Sequence, residues 1–421
     1  MATPMASDRE WTIWGISELS CWLLHPCNPV FGSPSGHDAE DCLAAHLASG
    51  IRHVHWDLGR SVLTYHSDLP NATCPGKPRH IATPPGKAAH RAVDAVVKDR
   101  CPLRAALRFA KANQMVLYGW LTANRHYAPG TALQSDFATF HPHWHEVKQD
   151  GWLDSSRLCY AIPEVRQERI DILLEVAGLG VDGLMLDFCR QPPLVGYHPA
   201  LVNPYRQQFG RDPLALTPAQ PEDYLHWCAW RTECLTTLLR EVKARLTPFR
   251  ERYQKRLPFQ VRVPNDGFAA NLTAGIDIVT WCREGLIDEL SLSELRWQND
   301  FAAWDDAPYI ALGRQYGIPV YGSSNALPRQ ANGWGGEVNP RGLNPLVLAR
   351  RALRSHAQGA SGIAFYQSDT GIQIPEVQNV VAMFKDPDAL RKYTEDDDVR
   401  KRWPVTPENA DYGIDNHSRW F

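Results

Sequence analysis

The residues able to do chemistry in this 421-residue chain stand where short apolar runs break off at a polar or charged group. The plainest case is residues 180–190 (GVDGLMLDFCR), apolar over strand length, ending in Asp187 and Arg190 and stopped by Pro192 and Pro193. Other such runs end in Glu18, in Asp57, in Asn124 with Arg125 and His126, in Arg262 with Asn265, in Glu294, in Asn325, and in Gln367 with Asp369. Carboxylates, amides and guanidinium groups held in fixed directions suit a polyhydroxylated ligand, whose hydroxyls each need donors and acceptors. Trp56, Trp120, Tyr160, Trp297, Trp334 and Tyr366 add flat apolar faces on which a sugar ring can lie.

Glycoside hydrolysis needs two carboxylates flanking the bond, about 5–5.5 Å apart for retention and about 6.5–9.5 Å apart for inversion. Asp187 and Glu294 close the fourth and sixth runs, one strand apart, where side chains can face each other across a rim. Arg190 or Arg262 beside Asp187 keeps it ionised, as a nucleophile or electrostatic stabiliser must be. Leu292 and Leu295 flank Glu294, and an apolar flank raises a carboxyl's pKa as a general acid requires. The plain alternatives are an Asp–Arg pair that only fixes a strand end and an exposed loop acid at Glu294. Glu18 and Asp57 read as binding or structural acids. Three histidines crowd residues 141–145 (HPHWH), but they cannot all point one way in so short a segment, so no metal is expected. The Gly-x-Ser-x-Gly elbow of serine hydrolases is absent.

Strands must bring these ends together. Apolar runs at 11–18, 51–57, 115–122, 180–187, 259–265, 287–294, 318–325 and 362–367 alternate with helical spacing at 38–49, 88–113, 163–178, 221–246, 271–283, 303–317, 344–359 and 376–384. Eight strands alternating with helices predict a (β/α)8 TIM barrel with long βα loops, whose strand C-termini share one face. A doubly wound open sheet is the alternative, and the missing GxGxxG after the first run counts against its dinucleotide-binding form. Residues 1–10 read as a flexible N-terminus, 11–385 as the barrel, and the charged residues 386–421 as a tail on its surface.

Composition bounds the partners. Hydrophobic residues are 44% and charged residues 22%, enough for a large core, and a net charge of −3 without basic runs argues against nucleic acid or an anionic membrane. The 15 tryptophans are many for a chain of this length, and such an excess serves cores but can also form stacking platforms for sugar rings. No apolar run is long enough to span a bilayer, and residues 1–10 carry no secretory leader. The chain as written is therefore expected in the cytoplasm, or outside it if a leader has been removed. Ten cysteines lack regular spacing; Cys159, Cys189, Cys228, Cys234 and Cys282 read as core thiols, while a disulfide among Cys21, Cys27, Cys42 and Cys74 stays open.

Residues 158–166 (LCYAIPEVR), the helix after them, and residues 181–190 (VDGLMLDFCR) resemble the glycosyl hydrolase-like 10 family of (β/α)8 glycosidases. In that family a Pro-Glu-Val-Arg helix start leads to an Asp-Gly strand ending in Asp-x-x-Arg. Residues 140–144 (FHPHW), 209–213 (FGRDP) and 357–363 (AQGASGI) are also similar, and the likeness runs from about Trp11 to Phe384. It implies a hydrolase acting on a carbohydrate, with Asp187 matching the acid of the fourth strand. The motif departs at Gln191, where the family has Tyr.

Together these readings predict Asp187 and Glu294 as catalytic carboxylates. The carbohydrate contacts would come from Glu18, Asp57, Trp120, Arg125, His126, Tyr160, Arg190, Arg262, Asn265, Trp297, Asn325 and Gln367, with no cofactor. The alternatives are a non-catalytic carbohydrate-binding barrel and a metal-dependent hydrolase or lyase using His126 or the histidines at 141–145.

Overall fold

Parallel strands β1 (Thr12–Ser17), β2 (His53–Asp57), β3 (Val116–Thr122), β4 (Gly183–Asp187), β5 (Phe259–Pro264), β6 (Glu289–Ser293), β7 (Val320–Asn325) and β8 (Gly362–Tyr366) close into one barrel in chain order. This computed structural model describes residues 10–24, 35–83, 88–123, 130–189, 193–293, 305–325 and 344–404. The (β/α)8 expectation holds, with each expected strand present within three residues of its predicted ends.

Alternation along the strands sorts the side chains into two cores. Trp14, Ile16, Tyr118, Trp120, Met185, Tyr321, Ala364 and Tyr366 point inward and pack on one another. Their neighbours Ile13, Val54, Leu117, Leu184, Leu186, Val261, Leu290 and Ile363 point outward and pack with the surrounding helices. Each fully buried side chain of this size contributes roughly 1.5–3 kcal/mol of apolar burial. The inward set also holds polar residues. Glu289 accepts hydrogen bonds from Tyr118 Oη at 3.3 Å and Gln260 Nε2 at 3.0 Å, and His55 stacks on Trp14 at 4.2 Å. Burial raises the Glu289 carboxyl and holds His55 well below its ordinary range.

Three local devices seat β4, the strand that carries Asp187. Helix Pro163–Leu179 ends at Gly180, whose φ of 106° only glycine takes without strain. Asp182 then binds Leu117 twice, its amide to the carbonyl at 2.9 Å and its carboxylate to the amide at 2.8 Å, which sets the β3–β4 register. Gly183 lies against the Tyr118 ring, where an added Cβ would come within 2.5 Å of ring carbons.

The helical layer departs from expectation where proline or glycine decides. The single helix expected at 88–113 is two, Ala88–Asp99 and Pro102–Ala112, because Pro102 begins a new helix at its first turn. The one expected at 271–283 is also two, broken at Gly275 (φ 96°) where the chain presses on Val195. The helix expected to stop at 246 runs from Pro221 to Tyr253, through Pro248. The C-terminal segment, expected as a charged tail on the barrel surface, forms helices Pro387–Glu395 and Asp397–Arg402, the first capped by Asp386 and anchored by buried Leu390.

Residues 141–145, expected within a long βα loop, lead into an antiparallel hairpin of His145–Val147 with Leu153–Leu158. It docks on the segment that leaves β4: Tyr197 N donates to Val147 O at 2.7 Å, and Gly196 N to Glu146 Oε2 at 3.0 Å. Burial pushes the Glu146 carboxyl up to about 7, a shift the Gly196 amide only partly opposes.

Two stability predictions follow from these contacts. Gly183→Ala should cost about 1–3 kcal/mol, because the ring it meets is held at its hydroxyl by Glu289; an unchanged denaturation midpoint would refute the close packing. For Glu146 the folded-state value lies above the unfolded one near 4.5. Its contribution is therefore complete below about pH 4.5 and lost as pH rises through about 7, a swing of about 3 kcal/mol. Glu146→Gln should gain on wild type by that amount across the window in pH-dependent melts, and parallel curves would count against it.

Candidate active site

The site is built from inward residues at the C-terminal ends of the strands. Trp120 on β3 and Asp187 on β4 point into the mouth from paired strands, with Thr122 opposite Asp187 in register. Asp187 Oδ2 accepts from Trp120 Nε1 at 3.0 Å and from Arg262 Nη1 of β5 at 3.1 Å, while Oδ1 accepts from Cys189 N at 2.7 Å. Both members of the ion pair are buried, with side chains 0% and 1% exposed. Arg262 Nη2 donates to Ser293 Oγ at the end of β6 at 2.7 Å, and its guanidinium lies 4.3 Å over the Tyr366 ring of β8. Tyr366 Oη in turn donates to Glu18 Oε1 at 3.2 Å, and Arg60 Nη2 binds the same oxygen at 3.1 Å. One run of contacts thus crosses the mouth from β3 to β1.

Asp369, just beyond β8, is fully buried near Glu18. Burial and then the charge of Glu18 push its carboxyl well above the usual range, against the pull of the backbone amides of Glu18, Asp369 and Thr370. The turn that carries it begins at Gln367, a non-glycine residue at φ 50°.

Beside this network a cleft of about 520 Å³, counting its open mouth, lies between the ends of β1 and β2 and the helix Ala88–Asp99. Glu18, Asp57, Arg60, Ser61, Thr64 and Asp94 line it. Among the described residues Glu18 and Asp57 reach the cleft, while Asp187 is buried.

The other expected site residues fall into three groups. Asn265 is buried at the end of β5, its Nδ2 donating to Asp306 Oδ1 at 2.9 Å, and Gln367 is buried after β8. Asn325 ends β7, paired with Tyr366. Tyr160 is corrected: its ring, 1% exposed, belongs to the core between barrel and helices, because the hairpin delivers it to the helix side. Arg125, His126, Arg190, Glu294 and Trp297 lie outside the described residues, as do Asn124 and Trp334.

The histidines at 141–145 do separate tasks. His141 stacks on Trp144 at 3.7 Å and bonds Phe137 O through Nδ1, while the His145 ring spans Arg157 O and Ala138 O. Among the described residues no three metal-binding side chains gather. The described cysteines are free thiols. Sequence reasoning missed Arg60, Ser293 and Glu289. For the last two the signal was present, since residues 289, 291 and 293 alternate with Leu290 and Leu292 and so face inward.

No curated protein matches the chain. Among solved structures, β-galactosidase from the psychrophilic Marinomonas ef1 matches with a TM-score of 0.55 and 11% identity, over 95% of this chain and 62% of that one. The chain therefore spans less than two thirds of that enzyme's length. A chitinase from Paenibacillus sp. str. FPU-7 gives a TM-score of 0.46 at 11% identity, over 90% of this chain and 43% of that one. An α-amylase from Geobacillus thermoleovorans gives 0.44 at 12%, over 91% and 80%. At such identities the β-galactosidase match speaks for the barrel fold alone. The sequence profile of the glycosyl hydrolase-like 10 family matches residues 87–306, more than half of the chain and the part that holds Trp120, Asp187 and Arg262, and the chain belongs to that family.

Proposed function

We propose that the chain is a glycosidase that cleaves O-glycosidic bonds at the C-terminal mouth of its barrel, with Asp187 as the charged carboxylate. The observation that carries this reading is the buried Asp187–Arg262 pair, held further by the Trp120 indole and the Cys189 amide. Such a pair is costly to desolvate and is often no more stabilising than apolar residues of the same size. Its place at a barrel's C-terminal mouth favours a chemical reason for keeping it. An ionised carboxylate there stabilises positive charge growing at the anomeric carbon, or attacks that carbon, while a second carboxyl protonates the departing oxygen.

For the second carboxyl the chain order proposes Glu294, directly after Ser293, whose hydroxyl receives Arg262. Glu18 is the rival, because it lines the cleft together with Asp57. Arg190, Arg125, His126, Trp297, Asn325 and Gln367 remain proposed sugar contacts. A non-catalytic carbohydrate-binding barrel would use the same mouth without turnover.

The test is a panel of chromogenic glycosides and of plant and bacterial polysaccharides. Asp187→Asn should cut turnover by at least about a hundredfold while circular dichroism stays native; near-normal activity in that variant would remove Asp187 from the chemistry. Loss of the acid should spare substrates with good leaving groups and penalise poor ones, so the variant showing that split, Glu294→Gln or Glu18→Gln, names the second carboxylate. In the fold itself, Arg262→Met should cost about 3–5 kcal/mol by stranding a buried carboxylate. Adding Asp187→Asn should recover much of that loss in urea denaturation, and strict additivity would mean that the two residues are not coupled.

A further inference from the structure

Among the described residues Trp14, Trp56, Trp120, Trp227 and Trp281 are buried and Trp11, Trp22, Trp144, Trp230 and Trp403 half-buried. Trp152 differs: it is 73% exposed, the highest value of any large apolar residue there, with Leu153 beside it at 51%. It stands at the tip of the hairpin between β3 and β4, in the connection that leaves the barrel's C-terminal side.

That tip is held in shape. Lys148 N donates to Trp152 O at 2.8 Å, Gly151 N to Lys148 O at 3.0 Å, and Trp152 N to Asp150 Oδ1 at 3.1 Å, with Gly151 in the left-handed region. Gln149 Nε2 ties the tip to the carbonyls of Leu214 and Leu216 at 3.0 and 2.9 Å. The base of the hairpin is stitched to Gly196 and Tyr197, downstream of Asp187. A ring kept exposed on a fixed turn loses little conformational freedom when a ligand covers it.

We propose that Trp152 is the stacking platform of a second carbohydrate-binding site, taking a pyranose ring of a chain that extends beyond the barrel mouth. Resting on the glycosidase reading, this makes the substrate an oligosaccharide or polysaccharide rather than a small glycoside. The flat indole face meets the apolar face of a sugar, and Lys148 and Asp150, both exposed, offer a donor and an acceptor to its hydroxyls. Size favours a glycan over a protein partner. One indole and a leucine present on the order of a few hundred Å², whereas a stable protein contact covers about 800 Å² on each side.

The experiment is affinity electrophoresis through gels cast with hydroxyethyl cellulose, xylan, glycol chitin or soluble starch, with melting curves to confirm folding. Wild type should be retarded by at least one polymer, Trp152→Ala about tenfold less, as loss of one good stacking contact gives, and Trp152→Phe close to wild type. Equal retardation of Trp152→Ala and wild type overturns the site. So does a wild type that hydrolyses chromogenic glycosides yet passes every polymer unretarded. A dimer that Trp152→Ala dissociates in sedimentation assigns the ring to a protein contact instead. If wild type neither hydrolyses any glycoside nor is retarded, the glycosidase reading falls and the site with it, whereas retardation without turnover leaves the site standing on a binding barrel.

Discussion

Asp187 and Arg262 meet at 3.1 Å inside the mouth of the barrel, and most of what surrounds them can be read as a response to that placement. A charge pair taken out of water loses several kcal/mol per ion in hydration, and Coulomb attraction repays this only if the remaining donors and acceptors are also met. The surrounding strands supply those groups: the Trp120 indole and the Cys189 amide for the carboxylate, and the Ser293 hydroxyl and the Tyr366 ring face for the guanidinium. Each donor depends on its strand being in register, so the electrostatics of the mouth depend on Asp182 and Gly183 at the opposite end of β4. A one-residue slip there would turn Asp187 toward the helices.

The bore beneath is filled unevenly. Aromatic side chains from β1, β3, β7 and β8 occupy much of it, and β5 and β6 answer with Gln260, Glu289 and Ser291. Tyr118 links the two sides, its ring packed on Gly183 and its hydroxyl on Glu289. Polar groups in so dry a place favour one arrangement over others, because a wrong partner leaves a donor or acceptor buried alone. The mouth thus stands on a floor that resists repacking.

Much of this was legible in the residues. A short apolar run bounded by glycine, proline or a charge has few ways to be stable other than as a buried parallel strand, and eight of them alternating with helices leave few topologies. Asp187, Arg262 and Glu18 could be placed at the mouth because each closes such a run. What escaped was decided by tertiary contact. The hairpin at 145–158 has no strong alternation of its own and is held by docking on Gly196 and Tyr197. Pro248 would end an isolated helix, yet the helix continues to Tyr253, where the side chain of Arg250 reaches Leu257 O. Tyr160 was assigned to the mouth because aromatic residues near a strand suit sugars, but the hairpin turns it to the helix side. Glu146 gave no signal, since the Gly196 amide that covers it lies 50 residues along the chain.

The distribution of acids across the mouth has a chemical consequence. Asp187 is buried and is linked through Arg262 and Tyr366 to Glu18, which lines the cleft. Arg262 cannot follow a change in charge at Asp187 without moving against the Tyr366 ring, and Tyr366 cannot move without altering the hydrogen bond to Glu18. In a barrel whose two ends of this relay belong to β4 and β1, nearly opposite each other around the closed sheet, such coupling needs no moving domain. It requires only that the intervening side chains stay packed, which the aromatic filling of the bore provides.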